Sequence, residues 1–584
     1  MILGYTADEV RAAEQPLLAR GVPLMQQAAR GLATRVAAEL AERRGRVRGA
    51  SVVALVGAGN NGGDALHAGA VLARRGVQVL AVCTTGAPHA EGLAALRRAG
   101  GRAVRAVDPG ESGPSGLPEG DDPGLAPVWL GDAVAEAYAA DVVLDGLLGI
   151  GGRGVPRGVA GLLAGLLTDL LAGEEVAGSA AATPDRPLVV AVDVPSGTGV
   201  DDGALPEGPV LPAGLTVTFG GAKPGLLLPP ASRRAGRVEV VDLGLPLPQR
   251  PAVARLEAAD VAALWPVPGP EDHKYSRGVL GVVAGTPAYP GAAVLTVSAA
   301  VLAGVGMVRY VGPAEVAGPV LAARPEVVAG KGRVQAWLLG PGVDPGHAKQ
   351  AKRVRRGIDE ALGTGLPAVL DAGALAVAPR DLAPWCVLTP HAGELATLLG
   401  RLGEPVERAG VEAEPLRWAR RAHELTGATV LLKGSTTVVV GAGGAVYAQA
   451  DAPGWLATAG SGDVLAGVLG ALPFPAPGPP RWWRTRRSPP RSRPPRRSCA
   501  GAPRGSRCPG GPCRRSRWRT RCRRPSRTSC AAEAPGRTGR VERHDRRAGG
   551  VSVRTFHSGR WPGWPGWPGC RCAVHPGGGG RLGE

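Results

Sequence analysis

The chain of 584 residues lacks an apolar run long enough to cross a membrane. The nearest candidate, residues 161–172, is interrupted by Thr168 and Asp169, whereas a membrane-spanning helix needs roughly 18 to 20 consecutive apolar residues. The first residues also lack the basic and then apolar order of a secretory signal. We therefore expect a cytoplasmic protein that does not contact membranes.

Cysteine is scarce over most of the chain. Of the nine cysteines, only Cys83 and Cys386 lie before residue 480. Proteins of reducing compartments carry few cysteines and seldom form disulfides. The cysteine usage therefore agrees with the cytoplasmic prediction.

Lysine is absent from the C-terminal segment 481–584, which contains 27 Arg and only four acidic residues. The formal net charge of +19 comes from this segment, because the rest of the chain is mildly acidic. The charge distribution therefore argues against a nucleic-acid-binding protein. Because selection for charge alone would admit lysine, and GC-rich codons read in the wrong frame supply arginine, we interpret residues 473–584 as a frameshift product. A disordered, basic extension is the alternative, and in either case we expect disorder.

The length of the chain predicts at least two domains. Apolar, strand-like runs alternate with Ala- and Leu-rich helical stretches from residue 26 to about 472, which is typical of α/β folds with parallel sheets. The proline-rich segment 244–251 predicts a boundary, with domains at 1–245 and 252–472. Four of the predicted strands are 51–56, 77–82, 142–145 and 188–193.

A glycine-rich turn directly follows the predicted strand 51–56. Its glycines, at 57, 59, 62 and 63, permit close backbone approach, and the amides that follow can donate to phosphate at a helix N-terminus. Asn60, Asn61 and Asp64 add side-chain oxygens, which a simple phosphate-binding turn does not need. A strand-to-helix turn without a ligand is the plainer alternative, but the polar residues favour a specific site.

The first domain resembles the NAD(P)H-hydrate epimerases at this turn and in four further blocks. The resemblance implies a Rossmann-like, three-layer α/β domain that interconverts the R and S hydrates of NADH and NADPH, NADHX and NADPHX. The chain departs from the family at Ala65, where glycine is usual. The further blocks are residues 5–10 with 23–25, 145–154, 192–197 and 218–225.

The same resemblance implies a potassium site formed by Asn61, Asp145 and Ser196. Oxygen ligands suit a hard cation, and Asp145 ends an apolar strand, where a buried carboxylate needs a cation or donors; a loop cap is the alternative. Asp193 is implied as a substrate-contacting acid and is a candidate for proton transfer at the hydrated carbon. The implied substrate-binding residues are Asn60, Asn61, Gly62, Gly63, Asp64, Gly149, Ile150, Gly151, Gly152, Arg153, Gly154, Val155 and Asp193.

The second domain resembles the ADP-dependent NAD(P)H-hydrate dehydratases of the ribokinase-like superfamily. The resemblance implies a ribokinase-like α/β domain that dehydrates the S hydrate at the expense of ADP or ATP with Mg²⁺. It stops in the helix begun by Asp463, so we expect this domain to be C-terminally incomplete. Gly373 departs from the family, which has aspartate there. The blocks are 273–278, 289–293, 324–326, 340–342, 388–394, 432–437 and 458–463.

Asp463 is the predicted catalytic base of the second domain. It lies at the start of a predicted helix, where backbone N–H groups can hold phosphate charge while its carboxylate removes a hydroxyl proton; an ordinary helix N-cap is the alternative. The resemblance also implies that residues of this domain contact the nucleotide and the hydrate. The plainer alternatives are that Lys433 is a solvated lysine at a strand end and that His391 is an ordinary loop histidine. The nucleotide-binding residues are Lys433, Gly434, Ser435, Thr436, Thr437 and Gly462, and the substrate-binding residues are Ala292, Gly342, His391 and Asp463.

Together these features predict a bifunctional NAD(P)H-hydrate repair enzyme. Two rival hypotheses are a small-molecule kinase of the same superfamily and a nucleotide- or nucleic-acid-binding protein whose catalysis has lapsed. The fused epimerase-like domain and the block 389–394 favour the repair enzyme, because a simple kinase requires neither. The sequence leaves open the preference for ADP or ATP and whether the chain forms a homo-oligomer.

Overall fold

The computed structural model describes residues 1–108, 122, 124–152, 154–172 and 186–472. These residues belong to one compact unit. Arg153 and the segment 473–584 lie outside the described residues, so the predictions made for them stay predictions.

The described residues form two β-sheets with helices on their faces. The strands are β1 (Ile2–Gly4), β2 (Ser51–Val56), β3 (Gln78–Cys83), β4 (Arg102–Val107), β5 (Ala126–Trp129), β6 (Val142–Gly146), β7 (Leu188–Val192), β8 (Leu215–Phe219), β9 (Arg237–Val241), β10 (Val253–Arg255), β11 (Val279–Val283), β12 (Met307–Tyr310), β13 (Val328–Ala329), β14 (Ala336–Leu339), β15 (Ala368–Leu370), β16 (Cys386–Leu388), β17 (Thr429–Leu432), β18 (Thr437–Gly441) and β19 (Ala445–Gln449). The helices are α1 (Ala7–Leu18), α2 (Leu24–Arg44), α3 (Asn60–Arg74), α4 (Ala90–Arg98), α5 (Leu130–Tyr138), α6 (Gly158–Ala172), α7 (Pro224–Leu227), α8 (Ala258–Leu264), α9 (Pro290–Leu302), α10 (Ala314–Ala323), α11 (Ala348–Thr364), α12 (Ala392–Arg401), α13 (Arg408–Ala413), α14 (Pro415–Thr426) and α15 (Ser461–Ala471).

The first sheet has eight parallel strands in the order β5-β4-β3-β2-β6-β7-β8-β9. Alternate residues of β2 enter two different cores: Val52 and Val56 pack with α2 and α3, whereas Val53 and Leu55 pack with α5 and α6. Both faces of the sheet are therefore buried, which is why its strands read as continuous apolar runs. The prediction of a three-layer α/β half is confirmed, and the predicted strand 77–82 begins one residue later, at Gln78.

The second sheet has eleven strands in the order β1-β10-β19-β18-β17-β16-β15-β14-β11-β12-β13. The run from β17 through β13 is parallel, whereas β18 pairs antiparallel with both β17 and β19. Helices α9, α10 and α15 cover one face, and α11, α12 and α14 cover the other. The α/β prediction for this half is confirmed as well.

Two short elements of the first half are built into the second half. Strand β1 pairs antiparallel with β10, so the N-terminus forms one edge of the second sheet. Helix α7 places Leu226 and Leu227 in the core that α11, α12 and α14 share, and Arg255 donates to the carbonyl of Leu227 at 2.9 Å. The two halves therefore share a core and do not pack as independent bodies.

No helix among the described residues is both long enough and apolar enough to span a bilayer. The longest, α2, has 21 residues but carries Arg30, Arg35 and Glu39 along its length. It packs on the first sheet through Leu32, which is fully buried. Its length therefore serves packing against the sheet.

We expect Leu227→Ala to lower the free energy of unfolding by about 2 to 5 kcal/mol, because Leu227 is fully buried and its removal leaves a cavity. The matched control is Leu166→Ala on the exposed face of α6, where the cost should stay below about 1 kcal/mol. Urea unfolding of the full chain measures both. Equal losses in the two variants would show that α7 is not part of the shared core.

Candidate active sites

The first candidate site lies where β2, β6 and β7 end. These strands are parallel neighbours, so the loops that follow them converge at one edge of the sheet. Two glycines of the predicted turn are required by contact: a Cβ at Gly57 would lie 2.0 Å from the carbonyl oxygen of Leu147, and one at Gly62 would lie 2.2 Å from that of Gly57. Helix α3 then begins at Asn60 without a side-chain cap, so its first N–H groups face the site.

Asn61, Asp145 and Ser196 are brought together around the backbone of Leu148. The Ser196 hydroxyl donates to Asp145 Oδ1 at 2.5 Å, and the Ser196 N–H donates to Oδ2 at 2.9 Å. Asn61 Nδ2 donates to the carbonyl of Leu148 at 3.0 Å, while the N–H of Leu148 donates to Ser196 Oγ at 2.8 Å. Three oxygen-bearing side chains, from the first turn of α3, the end of β6 and the loop after β7, therefore form one cluster.

The fully buried Asp145 dominates the electrostatics of this cluster. Burial raises the pKa of its carboxyl group, and the hydrogen bonds from Ser196 and from the N–H of Leu147 oppose that shift. Because Asn61 uses its Nδ2 as a donor, its amide oxygen remains as an acceptor. A carboxylate, an amide oxygen and a hydroxyl form a donor set that fits a hard monovalent cation.

Asp193 forms a buried ion pair with Lys223 at the end of β7. Lys223 is 1% exposed, and its Nζ also donates to Thr218 Oγ1 and to the carbonyl of Phe219, each at 3.0 Å. Asp193 has a φ of 66°, a strained conformation for a residue other than glycine. Lys223 lies in a block noted in the sequence, but its role could not be assigned there, because only the fold carries it to Asp193.

Asp64 and Glu14 complete the charged surroundings of that pair. Asp64 Oδ1 is shielded from solvent and has no hydrogen-bond partner among the described residues. Burial, with the negative charges of Asp193 and Glu14, raises the pKa of Asp64 well above its usual range, and Lys223 opposes the shift. Burial likewise raises the pKa of Glu14. The site therefore holds a carboxyl group of raised pKa beside a carboxylate paired with lysine.

The loop 149–155 borders the same edge of the sheet. A Cβ at Gly149 would lie 3.0 Å from the Cβ of Asn61, Arg11 donates to the carbonyl of Ile150 at 2.7 Å, and Val155 packs against Gly197. Gly152 donates to the carbonyl of Gly149 at 2.9 Å, which closes a turn that also contains Gly151. Gly154 has a φ of 71°. This loop therefore contacts the glycine turn, as its predicted role requires.

The departure at Ala65 is accommodated by a neighbouring glycine. Ala65 is fully buried, and a Cβ at Gly146 would lie only 2.8 Å from its methyl group. The missing side chain at Gly146 leaves the space that the extra methyl group of Ala65 fills. The turn is therefore not crowded by the substitution.

The second candidate site lies at the start of α15. Gly460, with a φ of 86°, is the N-cap residue of α15 and has no side chain to cap the helix. Asp463 lies within the first turn. Asp463 is therefore not the N-cap, which was the plainer alternative. Burial raises the pKa of its carboxyl group to about 6, the negative charge of Asp371 adds to the shift, and Lys433 opposes it.

Lys433, which follows β17, contacts carboxylates after β15 and in α12. Its Nζ lies 2.9 Å from Asp371 Oδ1 and 3.5 Å from Glu394 Oε2, and Asp371 also accepts from Thr389 Oγ1 at 2.8 Å. The plainer alternative, a fully solvated lysine, is therefore wrong. A Cβ at Gly462 would lie 3.6 Å from Lys433 Nζ, so the lysine stands beside the start of α15. The sequence did not identify Asp371 as a site residue, because its place in the site comes from the parallel order of β15, β16 and β17.

His391 caps helix α12. Its Nδ1 accepts the N–H of Glu394 at 3.2 Å, and Glu394 Oε2 accepts the N–H of His391 at 2.8 Å, which forms a capping box. The ring is exposed, and its Nε2 lies 3.6 Å from Glu394 Oε2. The capping role fixes the ring at the site while one edge of it stays accessible.

The remaining predicted residues flank this centre on two sides. Gly342 packs against Ala292 at the start of α9, where a Cβ at Gly342 would lie 2.5 Å from that of Ala292. Gly434, Ser435 and Thr436 form the turn between β17 and β18, and Thr437 is the first residue of β18. Thr436 Oγ1 lies 3.5 Å from Ser232 Oγ of the first half. The structure thus places two of the predicted hydrate contacts, Ala292 and Gly342, near the start of α9, and the predicted nucleotide-binding turn 434–436 near the first half.

Gly373 occupies a position that leaves no room for the family's aspartate. A Cβ there would lie 2.1 Å from the carbonyl oxygen of Val343. The backbone after β15 in this chain therefore cannot carry a side chain at residue 373 unless it shifts. Asp371 remains the carboxylate of this segment that contacts Lys433.

We expect Gly373→Ala to lower the free energy of unfolding by about 1 to 3 kcal/mol, because the new methyl group meets a backbone oxygen that cannot rotate away. The matched control is Gly363→Ala in α11, where a Cβ meets nothing within 4 Å and helix propensity favours alanine by about 1 kcal/mol. Thermal or urea unfolding separates the two variants. A neutral effect at residue 373 would contradict the close approach to Val343.

Comparison with known families assigns both halves. The family described as YjeF-related protein N-terminus matches residues 22–225, and the family described as NAD(P)H-hydrate dehydratase matches residues 280–474. Together these matches cover most of the described residues.

Curated relatives match the first half alone and both halves together. The bifunctional NAD(P)H-hydrate repair enzyme Nnr of Mycobacterium tuberculosis is 44% identical over 485 residues, covering 80% of this chain and 88% of the relative. The NAD(P)H-hydrate epimerase of Clavibacter michiganensis is 43% identical over 246 residues, covering 42% of this chain and 91% of the relative. The crystal structure of the ADP/ATP-dependent NAD(P)H-hydrate dehydratase from Bacillus subtilis with ATP/Mg²⁺ covers 37% of this chain and 79% of its own, at 25% identity and a TM-score of 0.33. With both halves matched in order and the full-length relative covered so extensively, the chain belongs to the bifunctional NAD(P)H-hydrate repair enzyme family.

Proposed function

We propose that this chain repairs hydrated NADH and NADPH, with epimerisation in the first half and nucleotide-dependent dehydration in the second. The observation that carries the proposal is the presence of two separate acid–base centres, Asp64 with Asp193 and Lys223, and Asp463 with Lys433, in a chain of this family. A kinase of the same superfamily needs only the second centre. The substrates are NADHX and NADPHX, together with ADP or ATP.

For epimerisation, the hydrated carbon must lose its hydroxyl group and regain it on the other face. Because this carbon is bonded to the ring nitrogen, protonation of the hydroxyl lets water depart and leaves an iminium carbon, which water then attacks with loss of a proton. Asp64 in its protonated form suits the donor role. Asp193 suits the acceptor role, because it forms a buried ion pair with Lys223 at the same site.

The oxygen cluster of Asn61, Asp145 and Ser196 is the proposed potassium site of the first half. Bound potassium would supply a positive charge next to Asp145, which burial otherwise leaves without a cation. Asn61 belongs to both the cation cluster and the glycine turn, and it would thereby fix the turn's N–H groups toward the substrate.

For dehydration, the S hydrate needs a leaving group better than hydroxide. Asp463 would accept the hydroxyl proton while the hydroxyl oxygen bonds to the terminal phosphorus of the nucleotide, and the remainder of the nucleotide departs. Loss of phosphate and of a proton from the adjacent carbon then restores the dihydronicotinamide ring. The uncapped N–H groups of α15 and the ammonium group of Lys433 are positioned to hold the phosphate charge.

The turn 433–437 and Gly462 are the proposed nucleotide contacts, and Ala292, Gly342 and His391 the proposed hydrate contacts. Mg²⁺ commonly binds through one or two carboxylates together with nucleotide phosphates. Asp371 and Asp463 are two of the carboxylates whose charges interact with Lys433, and they fit such a role. The buried free thiols of Cys83 and Cys386 suit a reducing compartment, which supports a cytoplasmic location.

We expect Asp145→Asn to abolish the potassium dependence of epimerisation and to slow it about 100-fold or more, because the buried charge that holds the cation is removed. Dehydration of pure S hydrate should be unchanged. The interconversion of R and S hydrates, followed by chromatography with and without potassium, measures the first effect.

The matched control for that experiment is Asp141→Asn, at the other end of β6, where the carboxylate pairs with Arg44. This variant should keep the potassium dependence. A folded Asp145→Asn variant that lost both activities equally would show that the two reactions do not use separate sites.

We expect kcat/KM for dehydration to be constant above about pH 6 and to fall tenfold per pH unit below it, because the base is active only when Asp463 is ionised.

Asp463→Asn should lower the rate by roughly 100-fold or more with nucleotide binding retained. Asp359→Asn on the exposed face of α11 should change neither property. Normal turnover at saturating nucleotide in Asp463→Asn would refute the role of the base.

A further inference from the structure

A cavity of about 950 Å³ lies in the second half, between α11, the end of β12 and the segment after β13. Its volume falls in the range of small-molecule sites, roughly 300 to 1,000 Å³. None of the residues predicted for the two active sites lines it. The cavity is therefore separate from the chemistry described above.

Cationic side chains dominate the lining of this cavity. Helix α11 contributes four of them with spacings of three and four residues, so they share one helix face. Among the described residues, none of these side chains forms an ion pair, and Glu360 is the carboxylate in the lining. Such like charges repel one another unless an anion lies among them. The cationic residues are Lys331, Lys349, Lys352, Arg353 and Arg356.

Backbone donors reach the same cavity. Helix α10 begins at its wall, and the preceding Pro313 supplies no side-chain cap, so the first N–H groups of α10 remain available. The opposite wall includes Gly330, with a φ of 101°, and Gly332, where a Cβ would lie 2.4 Å from Arg309 Cζ. Glycines that expose backbone beside an uncapped helix are typical of anion sites.

A buried donor provides a further, independent indication of a ligand. Trp337 lines the cavity and is 5% exposed, yet its indole Nε1–H has no acceptor among the described residues. The Nε of Arg309, beneath Gly332, is likewise buried without an acceptor. Donors left buried in this way cost free energy, and the oxygen atoms of a bound anion could satisfy such groups.

We propose that this cavity binds the diphosphate group of a nucleotide. The lining carries five cationic side chains and one carboxylate, which is more positive charge than a ligand with a single carboxylate needs. Guanidinium groups also form paired hydrogen bonds with phosphate oxygens. The volume leaves space for a nucleoside beside the phosphates. The diphosphate can come from a free nucleoside diphosphate or from a pyridine dinucleotide.

The neighbouring contacts show how the cavity adjoins the hydrate site. Tyr310 lines the cavity, and its hydroxyl donates to the carbonyl of Ala284 at 2.9 Å. Gly285, the residue after Ala284, packs against Ala293. A Cβ added at Gly342 would lie 3.4 Å from the Cα of Gly285. A dinucleotide held at Gly342 could therefore extend toward the cations, which makes the dinucleotide one of the two sources to be tested.

Lysine acetylation followed by mass spectrometry tests the proposal on the full chain. Residues 481–584 contain no lysine, so the arginine-rich segment gives no signal. Inorganic pyrophosphate at ten times its Kd should slow acetylation of Lys331, Lys349 and Lys352 about 10-fold by mass action. The exposed Lys274, outside the cavity, should react at an unchanged rate.

The double variant Arg353→Gln with Arg356→Gln should lose this protection, whereas the matched control, Arg355→Gln with Arg420→Gln, changes two exposed arginines outside the cavity and should keep it. Lys433→Gln should also keep it, because that residue lies in the proposed catalytic site. ADP and NADP⁺ in place of pyrophosphate identify the source, since the true ligand protects at the lower concentration.

Four results would overturn the proposal. The first is an unchanged acetylation rate with millimolar pyrophosphate, and the second is equal protection of Lys274. The third is protection that persists in the Arg353 and Arg356 double variant. Protection by a single-stranded oligonucleotide without protection by pyrophosphate would likewise refute a nucleotide site and indicate nucleic acid.

Discussion

Parallel strand pairing is the constraint on which both candidate sites depend. Because β2, β6 and β7 run in one direction, Asn61, Asp145 and Ser196 meet although they are far apart in sequence. The same rule brings Asp371 to Lys433 in the second half, through β15, β16 and β17. Backbone hydrogen bonding thus sets the edge, and residues at or shortly after the strand ends supply the chemistry.

Each half pairs a lysine with a buried carboxylate beside a carboxyl group of raised pKa. Lys223 pairs with Asp193 near Asp64, and Lys433 pairs with Asp371 near Asp463. The two halves use the group of raised pKa differently: Asp64 is the proposed proton donor of the first site, and Asp463 is the proposed base of the second.

The fusion of the halves is structural as well as covalent. Strand β1 closes one edge of the second sheet, and α7, which follows Lys223, enters the second core. A short path of packed residues thus runs from the first site to the second half.

The sequence by itself determined the fold class, the strand at 51–56, and the loops that carry the site, because apolar runs and glycine turns are local signals. It also determined that Asp463 lies at a helix start. Only the tertiary structure decided the roles of Lys223, Glu14 and Asp371, since nothing local distinguishes a lysine that will be buried against a carboxylate from one in solvent. It also decided where Gly146 makes room for Ala65 and where β1 pairs, because contacts between distant segments arise from packing, which local patterns do not encode.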